Sequence, residues 1–109
     1  MKALWLTIGL ALPAAALHAQ ATDGKAVYEK SCKMCHGADG IPNPAMVKML
    51  ATLPTLDPKF LANVSKDSIV KLVTNGSANG KMKGYKDKLT PAQISAVADY
   101  VKEITKPKG

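Results

Sequence analysis

The feature that most constrains this chain is one pentapeptide, Cys32-Lys33-Met34-Cys35-His36, which holds both of its cysteines. C-x-x-C-H is the spacing used to attach a haem covalently. On a helical turn, residues three apart share a face, so both thiols reach the same edge of a porphyrin and each adds to one vinyl group. The next residue then carries its imidazole beneath the iron as the proximal ligand. A neutral ring nitrogen binds the metal, and the other nitrogen donates a hydrogen bond that fixes the ring. Similar residues serve other chemistries. A redox C-x-x-C follows a strand of a βαβ unit, and no such strand precedes Ser31. A structural zinc site takes four ligands, one more than two thiols and His36 supply. In an oxidising compartment two cysteines also form disulfides.

The amino terminus bears on that compartment. Met1-Lys2 is a short basic start, Ala3 to Leu17 is an uncharged, mostly apolar run, and Ala19-Gln20-Ala21 offers a small-residue cleavage site. This pattern predicts a secretory signal peptide over residues 1–21, cut after Ala19 or Ala21, with the mature domain over residues 22–109. The rival reading is a membrane anchor. The run is about fifteen residues, short of the roughly 20 that span a bilayer, and Pro13 interrupts it. Cleavage removes Trp5 and His18, leaving His36 as the mature chain's one histidine. The whole chain has 109 residues, of which 5% are aromatic. A core that thin needs a staple, and a covalent haem is one.

The remaining pattern is helical. Leu89-Thr90-Pro91-Ala92-Gln93-Ile94 reads as a capping box with Thr90 at the cap, Pro91 at the first helical position and a Leu89–Ile94 hydrophobic staple. Ile94, Val97, Ala98, Val101 and Ile104 recur at helical spacing, predicting a helix of about fifteen residues that stops before Pro107. Asp23 caps a first helix carrying Val27 and Tyr28 inward. Gly24 lies one turn before Tyr28, where a missing side chain lets a second helix cross closely, with Tyr100 as the natural partner. A middle helix runs from Lys66, capped by Ser65, to Asn75, with Gly76 as its stop. Its apolar side is Ile69, Val70, Leu72 and Val73. Between Gly37 and Pro58 four prolines (Pro42, Pro44, Pro54 and Pro58) predict loop, with one short helix near 45–50. No segment reads as a strand, and there is no internal repeat.

From Asp23 to Ile104 the chain resembles the class I monohaem cytochromes c, with the parts in the family's order. Gly24 to Cys32 resembles the helix leading into the attachment site, and Pro54-Thr55-Leu56 the P-x-L segment. Ile69 to Gly76 resembles the helix before the distal loop. Gly80-Lys81-Met82-Lys83-Gly84-Tyr85 resembles the distal methionine loop, and Leu89 to Ile104 the final helix. The resemblance implies an all-α fold, a small cytochrome c fold of three to five helices with long loops wrapped around one covalent haem c. It implies thioethers at Cys32 and Cys35, proximal ligation by His36, and a backbone carbonyl at Pro54 accepting the hydrogen bond of that imidazole. Pro42 and Pro44 are the other candidates for that acceptor. It also implies single-electron transfer, not enzymatic catalysis.

The sixth iron position separates a carrier from a haem with reactive iron. Without a second histidine the soft candidates are Met34, Met46, Met49 and Met82. Met34 sits inside the attachment motif and cannot reach the opposite face. Met46 and Met49 read as packing residues. Met82, apolar in a polar glycine-rich loop, is the expected distal ligand. In the family a proline commonly follows that ligand, and here it is Lys83, which predicts a less rigid loop and a lysine amine displacing Met82 at alkaline pH. The aromatic two places beyond Lys83 is retained as Tyr85.

The fifteen basic residues are all lysine against eight acidic ones, a net charge of +7. Lys33, Lys81, Lys83 and Lys86 are candidate partner-binding residues, joined by Lys25, Lys30 and Lys88. A positive rim near the haem edge steers redox proteins with acidic docking surfaces. An exported chain with no arginine and no aromatic platform is not built for nucleic acid. An anionic membrane surface stays open as a partner, though an integral span is not expected after leader cleavage. The expectation is a periplasmic or otherwise exported electron carrier. Its rivals are a sensor or peroxidase-like protein with a vacant or labile sixth site, and a dedicated electron-transfer subunit of a larger oxidoreductase.

Overall fold

The structure is a computed structural model that describes Gly9 and residues 22–106. The expected leader, Gly9 apart, and the Pro107 stop lie outside the described residues. Among the described residues six helices follow one another: α1 (Gly24–Ser31), α2 (Lys33–His36), α3 (Pro44–Met49), α4 (Pro58–Leu61), α5 (Lys66–Asn75) and α6 (Pro91–Ile104). Two of them, α2 and α4, are single turns of four residues, which is why the count passes the three to five read from the sequence. No strand occurs among the described residues, only an isolated antiparallel bridge between Gly76 and Lys83.

Each longer helix starts where its cap dictates. The Asp23 carboxylate accepts from Lys25 N, the Ser65 hydroxyl from Ser68 N, and the Thr90 hydroxyl from Gln93 N. The Gln93 side chain answers by accepting from Thr90 N at 2.9 Å, completing the capping box. The short α3 and α4 use the same device, with Asn43 and Asp57 at the cap and a proline in the first turn. The α4 turn was not foreseen. Asp57-Pro58 is its local signal, masked by reading Pro58 only as the end of a proline-rich loop.

The terminal helices cross at Gly24. A Cβ there would run into the Ala96 carbonyl and meet Tyr100 Cβ at 3.0 Å. One turn on, the Tyr28 and Tyr100 rings pack with centroids 5.3 Å apart and planes tilted by 55°. Helix α5 leans on α6 from the other side, and Lys102 of α6 donates to the Leu61 and Val64 carbonyls at 3.2 and 2.6 Å, tying down the end of α4. The core is thin, as the composition implied: Val27, Tyr28, Leu61, Ile69, Val73, Ile94, Val97, Ala98 and Val101. Leu72, expected on the buried side of α5, is 42% exposed, and the site explains why.

Candidate haem site

The attachment turn is built by backbone geometry. The amides of Cys35 and His36 both donate to the Cys32 carbonyl, at 3.2 and 3.0 Å, which turns both thiols and the imidazole to one side. They line a cavity of about 620 Å³ together with Met82. Every helix except α3 contributes to its walls, and the walls are mainly apolar. Leu72 and Phe60, both large and substantially exposed, face this cavity, so the apolar side of α5 is split between the core and the cavity. Thr52, Ser77, Asn79, Lys81 and Lys83 add a polar edge.

The fit to a haem can be tested on these residues. A flat apolar macrocycle with two carboxylates needs two thiols at one edge, apolar faces, axial donors and a polar margin. The cavity lining includes two thiols, apolar walls, an imidazole, a thioether and a polar margin, so the residues present fit the group. Burial raises the Cys32 thiol to about 11, with Cys35 adding to the effect. Burial lowers His36, which keeps its imidazole in the neutral, metal-binding form.

The methionines separate cleanly. Met82 is half-buried, packs against the core and lines the cavity. Met34 and Met49 are 79% and 74% exposed, and neither they nor Met46 line it. Pro54 lines the same cavity as His36, whereas Pro42 and Pro44 do not. The expected hydrogen bond is not formed, however: His36 Nδ1 is buried without a partner, so the Pro54 carbonyl does not accept from it in this structure. Of the lysine candidates, Lys81 and Lys83 border the cavity, and Lys33 and Lys86 are exposed outside its lining.

The Met82 loop is better held than the missing proline implied. Ser77 N donates to the Met82 carbonyl at 2.9 Å, and Met82 N donates back to Ser77 Oγ at 3.0 Å. Asn79 Oδ1 accepts from Ser77 Oγ and Lys81 N, and Asn79 Nδ2 donates to Thr52 at 3.2 Å. Tyr85 N and Lys86 N donate to the Val73 and Thr74 carbonyls at the end of α5. Reading a glycine-rich loop as flexible missed the serine and asparagine that pair its backbone, although Ser77-x-Asn79 is a turn signature on its own.

Residues 19–101 match the family model described as cytochrome c oxidase, cbb3-type, subunit III. The chain is 33% identical over 87 residues to cytochrome c6 of Synechocystis, a match over 79% of this chain and 67% of that protein. It is 31% identical over 86 residues to the cbb3-type cytochrome c oxidase subunit CcoP of Azospirillum brasilense, covering 79% of this chain but only 29% of that subunit. Among solved structures it is similar to the KustC0563 c-type cytochrome, with a TM-score of 0.67, 29% identity, and coverage of 77% of this chain and 99% of that one. Fold, site and these likenesses agree that the chain belongs to the c-type cytochromes, as a class I monohaem member carrying covalent haem c. No helix among the described residues is long and apolar enough to cross a membrane.

Proposed function

We propose that this cytochrome is an exported carrier whose iron is held by His36 and Met82, and that it shuttles single electrons between redox proteins with acidic docking surfaces. The observation that carries the ligand assignment is the sorting of the methionines: Met82 lines the cavity beside Cys32, Cys35 and His36, and Met34, Met46 and Met49 do not. Haem c, when bound, supplies a one-electron iron couple. The chain's own residues do the rest. Cys32 and Cys35 anchor the edge of the macrocycle, so the cofactor is never lost to exchange. The neutral His36 imidazole and the Met82 thioether offer one donor each, leaving no vacant position for a reactant. A soft thioether and apolar walls such as Leu72 and Phe60 favour the reduced state and exclude water, which keeps rearrangement small as charge changes. The Pro54 carbonyl is the proposed acceptor for His36 Nδ1 in the loaded protein. Export rests on the Lys2, Ala3–Leu17 and Ala19-Gln20-Ala21 pattern of the leader.

The test is an absorption spectrum of the holoprotein, oxidised and reduced, with and without carbon monoxide. A low-spin spectrum with a methionine-to-iron charge-transfer band and no carbon monoxide response supports the carrier. The band should vanish in Met82→Ala and survive in Met46→Ala and Met49→Ala. A high-spin spectrum or ready carbon monoxide binding would replace the carrier with a sensor or peroxidase-like protein. The match to an oxidase-subunit family favours one second reading, a dedicated subunit that donates within a complex, which co-purification with a larger oxidoreductase would support.

A further inference from the structure

We propose that Tyr85 is the positioning residue for the sixth iron ligand: its hydroxyl latches the Met82 loop to the haem-attachment turn. The inference rests on the assignment of Met82 as that ligand. Tyr85 Oη donates to the Ser31 carbonyl at 3.1 Å, across 54 residues of sequence. Ser31 is the last residue of α1, where a helix leaves its carbonyls without intrahelical partners, and it directly precedes Cys32. Through its backbone Tyr85 is bound on the other side. Its N–H donates to the Val73 carbonyl at 2.7 Å, and its own carbonyl accepts from Lys88 N and Leu89 N at 2.9 and 2.8 Å.

Tyr85 thus joins three pieces: the end of α5, the start of the attachment turn, and the loop that presents Met82 three residues earlier. The hydrogen bonds between Ser77 and Met82 do not do this, because they close the loop upon itself. The other side-chain link outward, Asn79 to Thr52, is exposed and reaches the loop between α3 and α4, not the attachment turn. The Tyr85 ring also lines the cavity beside Met82, so it holds the loop at the depth the cavity requires. A second tyrosine makes the counterpart contact. Tyr28 Oη donates to the Gly37 carbonyl, directly after His36, at 2.5 Å. The attachment turn is therefore clamped at both flanks by phenol hydroxyls, and only the Tyr85 clamp also carries the distal loop.

A phenylalanine keeps the ring and removes the latch. One hydrogen bond of this kind is worth about a three- to tenfold change in an equilibrium. A probe that enters only when the loop is open gains apparent affinity in proportion to the open fraction. The experiment measures imidazole binding to the ferric holoprotein for wild type, Tyr85→Phe, Met82→Ala, and Tyr100→Phe as a remote hydroxyl control. Tyr85→Phe is expected to keep the charge-transfer band and to bind imidazole about three- to tenfold more tightly, with Tyr100→Phe unchanged. Equal affinity in Tyr85→Phe and wild type, with the band lost in Met82→Ala, overturns the latch and leaves the ligand assignment standing. A band that survives Met82→Ala overturns the ligand assignment itself. If Tyr85→Phe does not accumulate as holoprotein, amide exchange of the wild type decides. Met82 N–H and Tyr85 N–H exchanging at matched rates support one latched unit, and rates differing more than tenfold overturn it.

Discussion

The crossing of the two terminal helices sets up the sharpest stability prediction. A methyl group at Gly24 has nowhere to go, because its Cβ meets the Ala96 carbonyl, a backbone atom that cannot rotate aside, and lies 3.0 Å from Tyr100 Cβ. Gly24→Ala must therefore push α1 off α6 and loosen the Tyr28–Tyr100 pair. Overpacking of this kind costs about 1–3 kcal/mol. Alanine recovers part of that through helix propensity, at most about 1 kcal/mol and less at a first-turn position. A net loss of about 1–2 kcal/mol lowers Tm by roughly 4–15 °C in a domain of this size. The assay is thermal unfolding of the holoprotein followed by far-UV circular dichroism. Gly80→Ala is the informative comparison. Nothing lies within 4 Å of its Cβ, but its φ of +74° is left-handed, so its cost is backbone strain of about 1–2 kcal/mol. If Gly24→Ala melts at or above the wild-type temperature, the close-crossing argument is wrong.

Other expectations follow from the same geometry. Raising the pH should replace Met82 by the amine of Lys81 or Lys83, both at the cavity edge, with reversible loss of the charge-transfer band; Lys81→Ala/Lys83→Ala should retain the band to higher pH, and a wild-type band unchanged far above neutrality would refute this. Burial raises the Tyr28 phenol to about 12 from 10.0. Its folded pKa lies above its unfolded one, so its contribution to stability is complete below about pH 10 and is lost as pH climbs toward 12. Denaturant titrations at pH 9 and 11 should show a smaller pH-dependent loss in Tyr28→Phe than in wild type. Charge reversal at Lys33 and Lys86, exposed and outside the cavity lining, should slow electron exchange with an acidic redox partner by about tenfold at low salt and much less at high salt. Stopped-flow rates that ignore both the substitutions and the salt would remove these lysines from the docking surface.

What the sequence revealed, and what it hid, divides by range. Asp23, Ser65 and Thr90 cap their helices through bonds to amides two or three residues on, so local chemistry settles where α1, α5 and α6 begin. The C-x-x-C-H turn is equally local, and the Gly24 crossing was readable because an empty Cβ leaves a visible gap in a helical pattern. Long-range features were less legible. Periodicity placed Leu72 on an apolar face but could not divide that face between core and cavity. The Met82 loop looked loose because its glycines drew the eye from the local Ser77 and Asn79 bonds, and because its other partners, Thr52, Val73 and Thr74, lie outside it. The P-x-L pattern pointed to Pro54, which lines the cavity with His36, yet spacing does not encode a hydrogen bond, and His36 Nδ1 has no partner.

The two tyrosine clamps differ in span, and the difference implies an order of assembly. Tyr28 reaches Gly37 nine residues onward, whereas Tyr85 reaches back 54 residues to Ser31. Closing a short loop costs less entropy than closing a long one. The C-terminal flank of the attachment turn, held by Tyr28 at Gly37, can thus be shaped while most of the chain is still unstructured. The contact that carries the Met82 loop to the turn closes the longer loop and costs the more entropy to form. One flank of the turn thus depends only on its own neighbourhood, and the other is completed only when the distal end of the chain has folded back.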